Sequence, residues 1–168
     1  MSKAVLISIR PKWAEKIAIG EKTIEVRKTR PNLPTPFKVY LYVTAGSLSY
    51  KCPNGMIAHC NGGREVIGEF VCDRIVDAFW DLVLPDAITQ EVVGSNLEVL
   101  DGSCLTADEI FAYWGSWEYG NVYGWHISGL RLYDKPRQLE EFRRPCDRDD
   151  AARYVKRPPQ SWMYVEEM

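Results

Sequence analysis

Apolar positions recur along this chain mostly with a period of two. Ala4 to Ile9 is a short apolar run of strand length. Lys22 to Lys28 alternates, with Ile24 and Val26 on one side and Thr23, Glu25 and Arg27 on the other. Phe37 to Thr44 sets Val39, Leu41 and Val43 against Lys38, Tyr40 and Tyr42. Val66 to Val76 predicts a long strand in which Gly68 marks a bulge. Tyr123 to Tyr133 predicts another strand, containing Trp125 and His126, and Trp162 to Val165 a last short one.

Helical spacing interrupts this pattern. Arg10-Pro11 opens a helix, because proline is tolerated in a first turn where its missing N–H is not needed. Trp13, Ala14, Ile17 and Ala18 then form an apolar stripe, Lys12 and Lys16 share another face, and Gly20 stands at a left-handed C-cap. A second helix is expected near Pro85 to Val93. A third starts at Thr106, where Glu109 three residues on makes a capping box, and runs through Ile110, Phe111 and Tyr113 to Gly115. Pro136 to Phe142 predicts a helical turn. Pro31, Pro34 and Pro36 stiffen one loop, and the turn signals Cys52-Pro53-Asn54-Gly55 and Cys60-Asn61-Gly62-Gly63 make 46–64 a loop or a small hairpin. Strands outnumber helices and do not alternate with them regularly. The expected class is therefore α+β, a small mixed barrel with helices packed around it. The expectation is one domain over 1–168, with 46–64 an irregular insertion and 134–168 a C-terminal extension.

Composition narrows the function classes. A chain of 168 residues, 46% hydrophobic and 26% charged, can bury its own core. Six Trp and nine Tyr leave aromatic surface available for stacking. The N-terminal apolar run is too short for an export signal, and no stretch has the length of a membrane span, so a cytoplasmic location and no membrane partner are expected. Cys52, Cys60, Cys72, Cys104 and Cys146 are odd in number and scattered, which predicts free thiols. The net charge of −2 is uneven: eight cations against three carboxylates give the first thirty residues +5 and leave −7 for the rest. Such a chain will not coat nucleic acid indiscriminately, but a local basic face on it can attract phosphate.

The stretch Gly20-Glu21-Lys22-Thr23-Ile24-Glu25-Val26-Arg27 carries the most chemistry. Glu25 and Arg27, two apart, project from one strand face, and Lys22 at the turn can swing toward them. Lining a cleft, these groups would hold a polar or anionic ligand: the cations keep Glu25 ionised, and Arg27 can fork onto phosphate or a base edge. A salt-bridge ladder on a solvated strand is the competing reading. Trp13 reads as core on its helix, with Lys12 on the cleft rim. His126 is either a ligand-reading or acid–base residue or a buried structural one. Trp114 and Trp117, at a helix end, pack or stack on a base. Cys52, His59 and Cys60 are spaced C-x6-H-C, with only Cys72 as a further ligand. That is no zinc framework, and neither a metal nor a cofactor is expected. No phosphate-binding glycine loop, nucleophile elbow or paired-cysteine motif occurs.

The spacing Gly20, Lys22, Glu25, Arg27, after a short strand and helix, resembles the signature of the ASCH domain, a PUA-like family. Ile7-Ser8-Ile9-Arg10-Pro11-Lys12-Trp13 is similar to that family's opening, and Val66 to Phe70 and Tyr123 to Ser128 extend the likeness over most of the chain. Arg157-Pro158-Pro159-Gln160-Ser161-Trp162 is similar to longer, phage-associated members. The resemblance implies a PUA-like barrel with a cleft beside the first helix and an RNA-related role. Some small members hydrolyse N4-acylated cytidine with a Lys, a Thr and a Glu, and some relatives act as ribonucleases. Their Lys matches Lys22. Their Thr falls at Glu25, which removes the hydroxyl nucleophile, and Glu69 and Glu109 are both candidates for their Glu. The leading expectation is thus a module that binds RNA, a nucleotide or a modified nucleobase through Lys12, Lys22, Glu25, Arg27 and His126. The alternative is a hydrolase of modified nucleosides or a ribonuclease, with Lys22 as base or nucleophile and Glu25 or Glu69 as proton shuttle. A protein–protein adaptor is the third.

Overall fold

The computed structural model describes residues 2–80, 90–114, 120–145 and 153–168. The elements run β1 (Lys3–Ile9), α1 (Pro11–Ala18), β2 (Ile24–Arg27), β3 (Phe37–Val43), β4 (Leu48–Lys51), β5 (Ile57–Cys60), β6 (Glu65–Cys72), β7 (Ile75–Trp80), α2 (Gln90–Ser103), α3 (Ala107–Trp114), β8 (Gly120–His126), β9 (Ser128–Arg137) and β10 (Trp162–Glu166). A single 3-10 turn, Leu139–Glu141, follows β9.

Hydrogen bonding groups the strands into a five-stranded sheet in the order β10-β1-β3-β6-β9, a three-stranded sheet β2-β8-β7 and the hairpin β4-β5. The α+β class stands. The described strands form three sheets, however, and not one ladder closed into the expected barrel. Within the large sheet, β1 and β3 run parallel and the other pairs are antiparallel. Parallel neighbours need a crossover, and α1 with β2 supplies it.

Both faces of the large sheet are buried. Val5, Ile7 and Ile9 pack with Val39, Leu41 and Val43 on one face, against Ala14 and Ile17 of α1. Ala4, Leu6, Tyr40 and Tyr42 pack on the other, beneath Leu139, Phe142 and Val155. This second layer is why β1 is buried almost without alternation. A third cluster, including Val26, Val76, Val99, Ile110 and Val122, fills the space between the small sheet and α2 and α3.

Two sequence expectations change in detail, and one open alternative is decided. Val66 to Val76 is not one strand: the chain turns at Asp73-Arg74 between β6 and β7, which lie in different sheets. Tyr123 to Tyr133 likewise divides at Ile127 into β8 and β9. The segment 46–64 is a hairpin, with Leu48 opposite Cys60 and Lys51 opposite Ile57. The bulge lies beside Gly68: Leu41 pairs with Gly68 and Tyr42 with Val66, leaving Ile67 as the extra residue. The capping box at Thr106 forms, its N–H donating to Glu109 Oε2 at 2.9 Å while the Glu109 N–H donates to Thr106 Oγ1 at 3.2 Å. The helix expected near Pro85 to Val93 falls mostly outside the described residues.

Candidate functional site

The site is assembled where α1 gives way to β2. Gly20 has φ +81°, a left-handed conformation that glycine adopts without steric cost, and it turns the chain out of the helix. The Lys22 N–H then donates to Lys16 O, and the Thr23 N–H to Gly102 O near the end of α2, so the start of β2 is pinned between two helix ends. Pairing with β8 places Glu25 opposite Trp125 and Arg27 opposite Tyr123. Opposed residues share a face, and this is the face on which Trp125 is fully buried. The polar side of β2 therefore points into the molecule, and the solvated-ladder reading does not hold.

Lys22, Glu25 and Arg27 are only 2%, 8% and 7% exposed. Lys22 Nζ donates to Ser103 O at 2.8 Å, capping the last carbonyl of α2, and lies 3.3 Å from Glu25 Oε2. Arg27 Nη2 lies 3.0 Å from Glu25 Oε1 and donates to Ser8 O at 2.7 Å, while Nη1 donates to Ser161 Oγ at 3.2 Å. The carboxylate is thus clamped by a cation on each oxygen. Such a buried set is rigid because losing any member strands the others away from water. Arg27 Nε is buried without a hydrogen-bond partner among the described residues.

These groups line a cleft of about 590 Å³. Its walls come from β1 and the residue after it (Ser8, Arg10), from α1 (Trp13), from α3 (Glu109, Tyr113) and from the segment before β10 (Gln160, Ser161). Trp13 is half-buried. Lys12 Nζ lies 4.4 Å and Lys22 Nζ 5.4 Å from its ring centroid, so the indole is a wall of the cleft as well as a core contact of α1.

No family model matches the sequence, and no curated protein matches it. Solved structures do. The crystal structure of ASCH from Zymomonas mobilis matches with a TM-score of 0.61 and 18% identity, covering 98% of this chain and 88% of that one. A serine-to-alanine mutant of the Zymomonas mobilis protein gives 0.60 and 19%, over 98% and 89%. A tyrosine-to-phenylalanine mutant of it gives 0.58 and 20%, over 99% and 92%.

The chain has the ASCH fold.

Within this ASCH fold, the residues singled out by sequence separate into two groups. Lys22, Glu25 and Arg27 converge on the cleft. Lys12 stands over Trp13 on α1 but is not among the residues lining the cleft. His126 is opposite Ile24, on the other face of β2 and β8 from Glu25, and its Nδ1 pairs with Asp73 Oδ1 at 2.6 Å. Burial raises the Asp73 pKa, but the hydrogen bond and charge of His126 outweigh it and leave that carboxyl below its ordinary value. Glu69 is also elsewhere: on β6 it accepts a hydrogen bond from Tyr133 Oη at 2.6 Å and faces Lys38 at 3.8 Å. Neither His126 nor Glu69 lines the cleft, whereas Glu109 does.

His59 and Cys60 are consecutive in β5 and so point to opposite sides. His59 meets Ser49 Oγ at 2.8 Å, while Cys60 is buried, donates to Glu65 Oε2 at 3.3 Å and has its thiol pushed up to about 11 by burial and that carboxylate. Cys52, Cys60, Cys72 and Cys104 are free thiols, and Cys146 and Trp117 lie outside the described residues. Sequence reading missed Arg10, Tyr113 and Ser161 as cleft residues. In the sequence Arg10 stands out only as the helix start, and Ser161 approaches Arg27 across 134 residues of chain, a separation that no local pattern encodes.

Proposed function

We propose that this chain is an ASCH, PUA-like protein that binds RNA, a nucleotide or a modified nucleobase in the cleft beside α1. One observation carries the reading: Lys22, Glu25 and Arg27 are buried and mutually paired at the base of a cleft walled by an indole. A carboxylate between two donors can read the mixed donor and acceptor edge of a base. The half-buried Trp13 supplies a stacking face. The likeness of fold to the Zymomonas mobilis ASCH structures is consistent with this role. Calorimetric titration with short single-stranded RNAs and with modified nucleosides tests it. Micromolar binding that weakens in Trp13→Ala is expected, and absence of binding by every probe at moderate salt would sink the idea.

A hydrolytic reading draws on one specific observation, that Glu109 and Lys22 share the cleft. In that case Glu109, not Glu69, is the carboxylate placed to move a proton. Turnover of N4-acetylcytidine or RNA that is lost in both Lys22→Ala and Glu109→Gln would support it. Turnover unaffected by either substitution would rule out this mechanism.

A further inference from the structure

β2 is an outer strand of the small sheet, whose order is β2-β8-β7. Along an antiparallel edge strand, successive residues direct their N–H and C=O alternately at the partner strand and away from it. One bond fixes the phase here. The Ile127 N–H donates to Thr23 O at 2.8 Å, and Thr23 stands opposite Ile127 by the register that sets Ile24 against His126. Thr23, Glu25 and Arg27 therefore face β8, and Ile24 and Val26 turn their main-chain groups to the free edge. The far side of β8 agrees, because the His126 N–H donates to Arg74 O, away from β2.

The cleft runs along that free edge. Residues from both faces of β2 line it: Glu25 and Arg27 on the Trp125 face, and Val26 on the face that packs with Ile110 of α3. A cavity reached from both faces of a strand lies at its edge. Across the gap stand Ser8, Ile9 and Arg10, and Arg27 Nη2 spans it to Ser8 O at 2.7 Å. Val26 is 4% exposed. Its side chain is packed into the third cluster, and neither its N–H nor its C=O has a hydrogen-bond partner among the described residues. Buried main-chain groups are nearly always paired, so an open donor and acceptor beside a cavity point to a ligand.

The length of the edge selects the kind of ligand. A peptide strand added to an edge needs several outward-facing residues in succession. β2 has four residues, and of its two that face outward only Val26 lines the cleft. One donor beside one acceptor matches the edge of a nucleobase, where an acceptor adjoins an N–H donor. Main-chain hydrogen bonds lie near the plane of the sheet. A base bonded to Val26 therefore extends the small sheet and shows one ring face to each side of it. Trp13 lines the cleft on the Glu25 side, and Tyr113 of α3 lines it on the Val26 side.

Resting on the binding role proposed above, we infer that the base docks edge-on to β2: its donor and acceptor pair with the Val26 C=O and N–H, and its ring lies between Trp13 and Tyr113. Val26 then reads the base alongside Glu25, through its main chain, and Tyr113 is a second stacking wall.

The test is calorimetric titration of the full chain with adenosine, cytidine, N4-acetylcytidine and a short single-stranded RNA. It compares the unmodified chain with one whose Val26 N–H is replaced by an ester oxygen and one whose Ile24 N–H is so replaced. Both esters weaken the same ladder to β8, but only the first removes a donor that faces the cleft. The Val26 ester is expected to bind its best probe about fivefold to tenfold more weakly, and the Ile24 ester to bind it as the unmodified chain does. Tyr113→Ala, at an exposed position, is expected to weaken binding about tenfold. In the isotope-labelled chain the Val26 amide proton is expected to shift downfield at saturation, a readout that needs no variant. Unchanged affinity in the Val26 ester, or equal losses in both esters, overturns the inference alone, as does a Val26 amide signal that stays in place. Full affinity in Tyr113→Ala overturns the placing of the ring between two aromatic walls. Failure of every probe to bind overturns the underlying role as well.

Discussion

Glu25 illustrates how much one side chain can decide. With each oxygen facing a cation, it offsets the repulsion between two buried positive charges held at close quarters. Removing it leaves Lys22 and Arg27 uncompensated away from water. Glu25→Ala is accordingly expected to lower stability by about 3–5 kcal/mol, measured as a shift in the urea midpoint at constant slope. A loss below about 1 kcal/mol would mean that both cations reach water, as surface pairs do. Lys22, Glu25 and Arg27 were readable from the sequence, since they stand at the end of a strongly patterned helix and on an alternating strand. Of the two misplaced residues, Glu69 lies on β6, none of whose described residues lines the cleft, whereas His126 lies on β8, paired to the strand β2 that does border it, but on the other face. Alternation tells which residues of one strand share a face, but not which face is turned to the cleft.

Among the elements, the β4-β5 hairpin has a clear mechanical role. It packs against α1, where the Gly46 backbone lies against Pro11, the first residue of that helix. Gly46 has φ +137°, and a Cβ there would stand 2.7 Å from Pro11 Cγ. A proline ring cannot swing aside as a flexible side chain would, so the helix start itself must move. Gly46→Ala should therefore destabilise the fold by about 1–3 kcal/mol. It should also weaken ligand binding through the displaced Arg10 and Trp13, with thermal melts and titration as paired readouts. Unchanged values in both would show that the hairpin does not set the cleft rim. The pattern of Cys52 to Arg64 announced turns correctly, but short strands exposed on one side lack a sustained apolar alternation, and the hairpin stayed ambiguous until its pairing was visible.

At the scale of the whole molecule, the C-terminal third binds the architecture together. β10 lies along β1, Ser161 reaches Arg27, and Phe142 covers the second face of the large sheet, edge-on to Tyr40 at 5.0 Å. Phe142 is fully buried, so Phe142→Ala is expected to cost about 3–5 kcal/mol, read from chemical denaturation. A much smaller loss would mean that this layer is loosely attached. A buried ion pair between Arg153 and Glu166 joins the same layer to β10.

By itself the sequence determined several local choices: the strands β1, β2 and β3, where α1 starts and stops, the capping box at Thr106, and the set of charged groups gathered in a few residues after Gly20. These are short-range properties, fixed by backbone sterics, side-chain spacing and turn chemistry. Only the tertiary structure decided that β6 and β7 belong to different sheets and that the polar face of β2 turns inward. The same holds for the way Ser8, Ser103 and Ser161, far apart in the chain, hold Lys22 and Arg27. Those outcomes depend on contacts between distant segments, whose combined burial outweighs the preference of any one strand for the solvent.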